Sequence, residues 1–89
     1  MALQYKYYDS NLEVEVKDCY WKITKLTGDK GRIIFLVGVY RNKEKADANI
    51  IINELQFWFT PDLESELNFI EQAYNHLKTL PMFESAIDV

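Results

Sequence analysis

Cysteine, histidine, proline and glycine are all scarce here: the 89 residues include one Cys, one His, two Pro and three Gly. A lone Cys19 cannot close a disulfide within the chain, nor can it anchor a thiolate zinc cluster. A lone His76 excludes a multi-histidine metal site built from one copy. Gly28 and Gly31 flank only two residues, so they mark a turn; the spacings of a Walker loop and of the GxGxxG fingerprint are both missing. The longest apolar run, Ile33 to Tyr40 with Gly38 counted, falls far short of the ~20 residues that span a bilayer. Met1 to Ser10 has neither the basic start nor the apolar centre of a signal peptide. A cytoplasmic protein, not secreted by a signal peptide and without a membrane segment, is the expectation.

What is abundant is apolar and aromatic side chain, 48% and 15% of the residues. That composition favours a globular fold over disorder, and the length suits one domain over residues 1–89 with one core. A domain this small buries only ~60% of its unfolded surface, so oligomerisation is a common supplement to its stability.

The net charge of −4 is unevenly spread. Residues 22–45 hold seven basic side chains against Asp29 and Glu44, whereas residues 46–89 hold eight acids against Lys78 alone. General nucleic-acid binding is disfavoured by the overall sign. Tyr20, Trp21 and Tyr40 lie near the basic stretch, the one feature such binding would use, but lysines at hairpin ends ordinarily serve solubility.

Alternation defines the strands. Leu3, Tyr5 and Tyr7 alternate with polar residues up to the turn cluster Asp9-Ser10-Asn11. Leu12, Val14 and Val16 then form an apolar face opposite Glu13, Glu15 and Lys17, and the phase slips by one before Cys19, Trp21 and Ile23. A bulge near Lys17-Asp18 is required, since otherwise the apolar set would change faces. Thr27-Gly28-Asp29-Lys30-Gly31 reads as a hairpin turn. Arg32 to Tyr40 reads as a central strand, with Ile33, Phe35, Val37 and Val39 on one side and Ile34, Leu36 and Tyr40 on the other. Residues 41–49 read as a solvated loop. Ile50 to Phe59 reads as a last strand, with Ile51, Leu55, Phe57 and Phe59 facing one way and Ile50, Ile52 and Trp58 the other.

Thr60-Pro61-Asp62 has the chemistry of a helix start, and Leu80-Pro81 that of a stop. The spacing of Leu63, Leu67, Ile70, Tyr74 and Leu77 predicts a helix over 61–79, flanked by Phe69, Ala73 and His76 and wet on Glu64, Ser65, Asn68, Glu71, Gln72, Asn75 and Lys78. The tail Met82 to Val89 is apolar enough to pack back on the domain or onto a neighbour. The expected fold is therefore α+β: an antiparallel sheet of about four strands, in β-β-β-β-α order, with one long C-terminal helix on one face.

Chemistry is thin. His76 reads as a flank residue of the helix stripe and Cys19 as a small core residue. Ser10, Ser65 and Ser85 sit in no nucleophile-elbow pattern with His76. The carboxylate pairs Glu13/Glu15 and Glu64/Glu71 lie on wet faces, where solvent prevents the pKa separation that acid and base catalysis needs. The expectation is no enzyme, no cofactor, no metal and no small-molecule substrate.

One helix, roughly 28 Å long if it runs ~19 residues, covers one face of such a sheet. Ile34, Leu36, Tyr40, Ile50, Ile52 and Trp58 are expected to share the other, and an apolar patch of that size marks an interface. The expected partner is a protein, a second copy first of all, and the opposed charges of the two halves would suit head-to-tail packing.

The stretch Ala73-Tyr74-Asn75-His76-Leu77-Lys78-Thr79-Leu80-Pro81-Met82-Phe83, with Ala86-Ile87-Asp88-Val89, resembles the ending of small proteins from the tail and structural gene modules of tailed bacteriophages and prophages. The resemblance implies a phage protein of the virion or its assembly that works by protein contacts in the host cytoplasm or the particle. The expected function is a non-enzymatic structural or assembly protein; the alternative is a small acidic binding module that inhibits or modulates a host protein through Glu64, Asn68, Glu71 and Asn75.

Overall fold

Alternating apolar residues along the first 59 positions pair into an antiparallel sheet, and a short helix and tail close over one of its faces. The computed structural model describes residues 2–89. In chain order the elements are β1 (Leu3–Asp9), β2 (Val14–Gly28), β3 (Ile33–Tyr40), α1 (Lys43–Asp47), β4 (Ile51–Phe59), α2 (Phe69–Thr79), a 3₁₀ turn (Pro81–Phe83) and β5 (Ile87–Asp88). The fold is α+β as expected, but the sheet has five strands, ordered β4-β3-β2-β1-β5. The fifth is the tail itself. Ile87 and Asp88 pair with Gln4 and Leu3, and the Val89 N–H donates to the Ala2 carbonyl at 3.0 Å.

The phase slip in β2 is resolved as its alternation demands. Tyr5 pairs with Cys19 but Tyr7 with Val16, so Lys17 and Asp18 together oppose Lys6, and Asp18 takes φ = 56°. Trp21 is thereby kept beside Leu3 on the core face. At the hairpin after β2, Gly28 has φ = 146°, and a Cβ there would sit 2.2 Å from the Arg32 carbonyl oxygen, so only glycine fits. Asp29 completes the turn by accepting from the N–H groups of Gly31 and Arg32. Leu12 and Val14 depart from expectation. They stay 70% and 46% exposed, since the β1–β2 hairpin extends past the reach of the core.

The core lies between the sheet and the C-terminal segment. Leu3, Cys19, Trp21, Ile33, Phe35, Val37, Val39 and Phe59 face Ala73, Tyr74, Leu77 and Phe83. Phe83 meets the rings of Trp21, Tyr5 and Phe57 with centroids 5.0, 5.4 and 6.2 Å away. The Tyr74 hydroxyl accepts the Ile23 N–H at 3.0 Å, and burial pushes the Tyr74 phenol above its ordinary pKa.

The helix is the main correction. It runs 11 residues from Phe69 instead of starting at Pro61. Asn68 caps it, its side chain accepting from the Glu71 N–H at 2.8 Å. Asn-Phe-Ile-Glu carries an N-cap with an acid three residues on, a local signal as strong as Thr-Pro-Asp and closer to the residues that reach the core. Leu63, Leu67 and Ile70, placed on the buried stripe by a 61–79 helix, are 56%, 41% and 50% exposed. Gln72, expected on the wet face, is buried: its side chain accepts from the Asp62 N–H and donates to the carbonyls of Asp62 and Leu67, tying the irregular segment 60–68 to the helix. The expected loop at 41–49 likewise contains α1, capped by Asn42 and ended by Asn49 at φ = 58°, with Ala46 buried. Among the described residues, no helix is long and apolar enough to cross a membrane.

Candidate interaction surface

The sheet face turned away from α2 can be read from strand register, since directly opposed residues share a face. Ile34 lies between Thr27 and Trp58, Leu36 between Lys25 and Gln56, Gly38 between Lys22 and Glu54, and Tyr40 between Tyr20 and Ile51. Rows of this face therefore mix apolar residues with two lysines, a threonine, a glutamine and a carboxylate. The six residues expected on one patch meet different fates. Ile34 and Leu36 are half-buried, and Trp58 is 54% exposed. Tyr40 is 5% exposed, taken up by the protein's own packing. Ile50 precedes the strand, its N–H donating to the Lys45 carbonyl. Ile52 is the unmatched residue of a bulge, for Val39 pairs with Asn53 but Tyr40 with Ile51.

Gly38 organises the middle of this face. A Cβ on it would lie 2.9 Å from the Thr24 methyl and equally near the Tyr40 ring and hydroxyl, so both side chains lean over the space it leaves. Across the same gap the Thr24 hydroxyl donates to Glu54 Oε2 at 2.9 Å, linking β2 to β4 over β3. Burial first, and the Glu54 carboxylate second, raise the Tyr40 phenol above its ordinary pKa. Nearer the hairpin, the Arg32 guanidinium sits 4.6 Å above the Trp58 ring, a cation–π contact.

β4 is the edge of the sheet, whereas the opposite edge, β5, is two residues long. Sheet edges are ordinarily blunted by proline, lysine or a short strand. β4 reads Ile-Ile-Asn-Glu-Leu-Gln-Phe-Trp-Phe, nine residues with no proline and no basic residue. Along it Ile51, Ile52 and Trp58 are 44%, 38% and 54% exposed, and Ile50 just before it is 54% exposed. On the helix side an open groove of about 620 Å³ runs beside the strand, lined among others by Phe57, Phe59, His76 and Leu80.

His76 and Cys19 both pack against the core. The imidazole stacks on Phe59 at 5.8 Å and meets Phe35 edge-on at 6.5 Å. Cys19 is buried and burial pushes its thiol above the ordinary range, against a smaller opposing pull from Arg41. Among the described residues no group of three or more His, Cys, Asp and Glu side chains is placed to hold a metal ion. The strand edge is what sequence reading missed, because edge position follows from strand order. Its one local signal was a strand-length segment without a proline or a basic residue.

No family model, curated protein or solved structure matches the chain.

Proposed function

We propose that the protein is a non-enzymatic structural or assembly component that works through protein contacts and associates with itself. The carrying observation is the exposure of apolar residues on the edge strand β4 and just before it, with Ile50, Ile51, Ile52 and Trp58 at 38% exposure or more. Burying large aliphatic and aromatic side chains of this kind contributes roughly 1.5–3 kcal/mol each when complete. Their placement at an edge instead of in scattered surface positions favours an interface. The resemblance of residues 73–89 to small tail-module phage proteins supports a role in a virion or its assembly. Sedimentation velocity across the micromolar range tests the self-association: a concentration-dependent shift to dimer or larger is expected, and a strict monomer at every concentration refutes it.

A second surface favours the alternative of an acidic module for another protein. Leu63, Leu67, Phe69 and Ile70 are 39–56% exposed, and Asp62, Glu64, Glu66 and Glu71 are interleaved with them. A basic partner with an apolar groove suits that segment. Loss of binding to such a partner on Leu67→Asp, with self-association intact, would distinguish the two surfaces.

A further inference from the structure

We infer that two copies of the chain join through their β4 strands, antiparallel about a two-fold axis at Gln56, to make one continuous ten-stranded sheet. It rests on the self-association proposed above and specifies its geometry. The inference begins with one hydrogen bond. The Glu54 N–H donates to its neighbour's side chain, Asn53 Oδ1, at 2.8 Å, instead of to β3. Along an antiparallel strand the direction of the backbone groups alternates, so Glu54, Gln56 and Trp58 turn their N–H and C=O groups to the free edge while Asn53, Leu55, Phe57 and Phe59 turn theirs toward β3.

The bulge at Ile52 leaves 53–59 as the regular part of the strand, and its midpoint is Gln56. A two-fold axis there pairs Gln56 with Gln56 of the second copy and Glu54 with Trp58 of the second copy, each with its outward groups in register. Every free donor and acceptor on the regular edge is then matched, once the Asn53 side chain gives up the Glu54 N–H. The same register sets Leu55 against Phe57 on the helix side, both half-buried in the monomer, so the core continues across the axis.

Charge selects a second copy as the occupant. Glu54 is the only charged residue of β4, and in this register it stands beside the second copy's Trp58, over which that copy's Arg32 is already held. Among the described residues the ion pairs are Lys6–Glu15 and Lys78–Asp88, so Arg32 has its charge available for Glu54 of the other copy, whose carboxylate accepts the neutral Thr24 hydroxyl on Oε2 in the monomer. The two-fold makes this contact twice. A register shifted to put Glu54 against Glu54 would be repulsive.

Gln56→Pro in the full chain removes an outward N–H without taking a bond from the β3 ladder. Analytical ultracentrifugation should find this variant monomeric where the native protein is dimeric. Glu54→Arg and Arg32→Glu should each weaken the dimer about tenfold, and the double exchange should recover it. Hydrogen exchange at Gln56 and Trp58 should slow as protein concentration rises. If the native protein dimerises but the charge exchange and the Gln56 amide leave its affinity unmoved, the β4 pairing is overturned while self-association stands. If the native protein never leaves the monomer, both fall.

Discussion

Replacing Phe83 by alanine removes a ring that sits outside every long element yet is 1% exposed. It projects from the 3₁₀ turn into a cage of Trp21, Tyr5 and Phe57, edge-on to Trp21 at 87°. Truncating a buried phenylalanine costs about 3–5 kcal/mol, because the lost transfer energy is joined by the cavity left behind. Aromatic pairs add about 0.5–1.5 kcal/mol each beyond area, so the upper half of that range is expected here. The cage is rigid, since Trp21 is also fixed by its indole N–H donating to the Tyr5 carbonyl at 3.1 Å, and it will not collapse to fill the space. For a domain of this size such a loss lowers Tm by about 15 °C or more. Urea unfolding followed by far-UV circular dichroism measures it, with Met82→Ala as the neighbouring control. Met82 is 46% exposed, and its truncation should cost no more than about 0.5 kcal/mol. A loss below about 1 kcal/mol for Phe83→Ala, or equal losses for the two variants, would show that the tail is no part of the core.

Gly38→Ala should destabilise by about 1–3 kcal/mol through overpacking against Thr24 and Tyr40, read from the urea midpoint. Gln72→Ala should cost about 1–3 kcal/mol by leaving the Asp62 N–H and the carbonyls of Asp62 and Leu67 without their partner, and hydrogen exchange at Asp62 should quicken. The raised Cys19 thiol sets an alkaline dependence. Below the unfolded-chain pKa of about 8.5 both states are protonated; above it the unfolded chain loses its proton first, so stability falls with rising pH until the folded thiol ionises too. Cys19→Ala should flatten the decline between that pH and the onset of tyrosine ionisation, and an unchanged slope would contradict it.

Much of the sheet was legible in the sequence because alternation is local. The break at Lys17-Asp18, the Gly28 turn and the burial of Ile33, Phe35, Val37 and Val39 all follow from patterns a few residues wide. The helix start was not legible, since capping signals at Thr60 and Asn68, eight residues apart, competed and only contact with the core chose Asn68. The proposed interface was legible only in part. Trp58 is exposed as expected, but a one-residue bulge at Ile52 moved Ile51 opposite Tyr40, and Tyr40 was absorbed by the space above Gly38.

By itself the sequence determined which segments extend as strands, where the β2–β3 hairpin turns and which side of β3 meets the core, for those properties are set by periods of two and by single glycines. Strand order, the β4 edge and the pairing of the tail with β1 were decided by the tertiary structure alone. They depend on which backbone groups are left without partners after the chain has packed, and no local pattern encodes that.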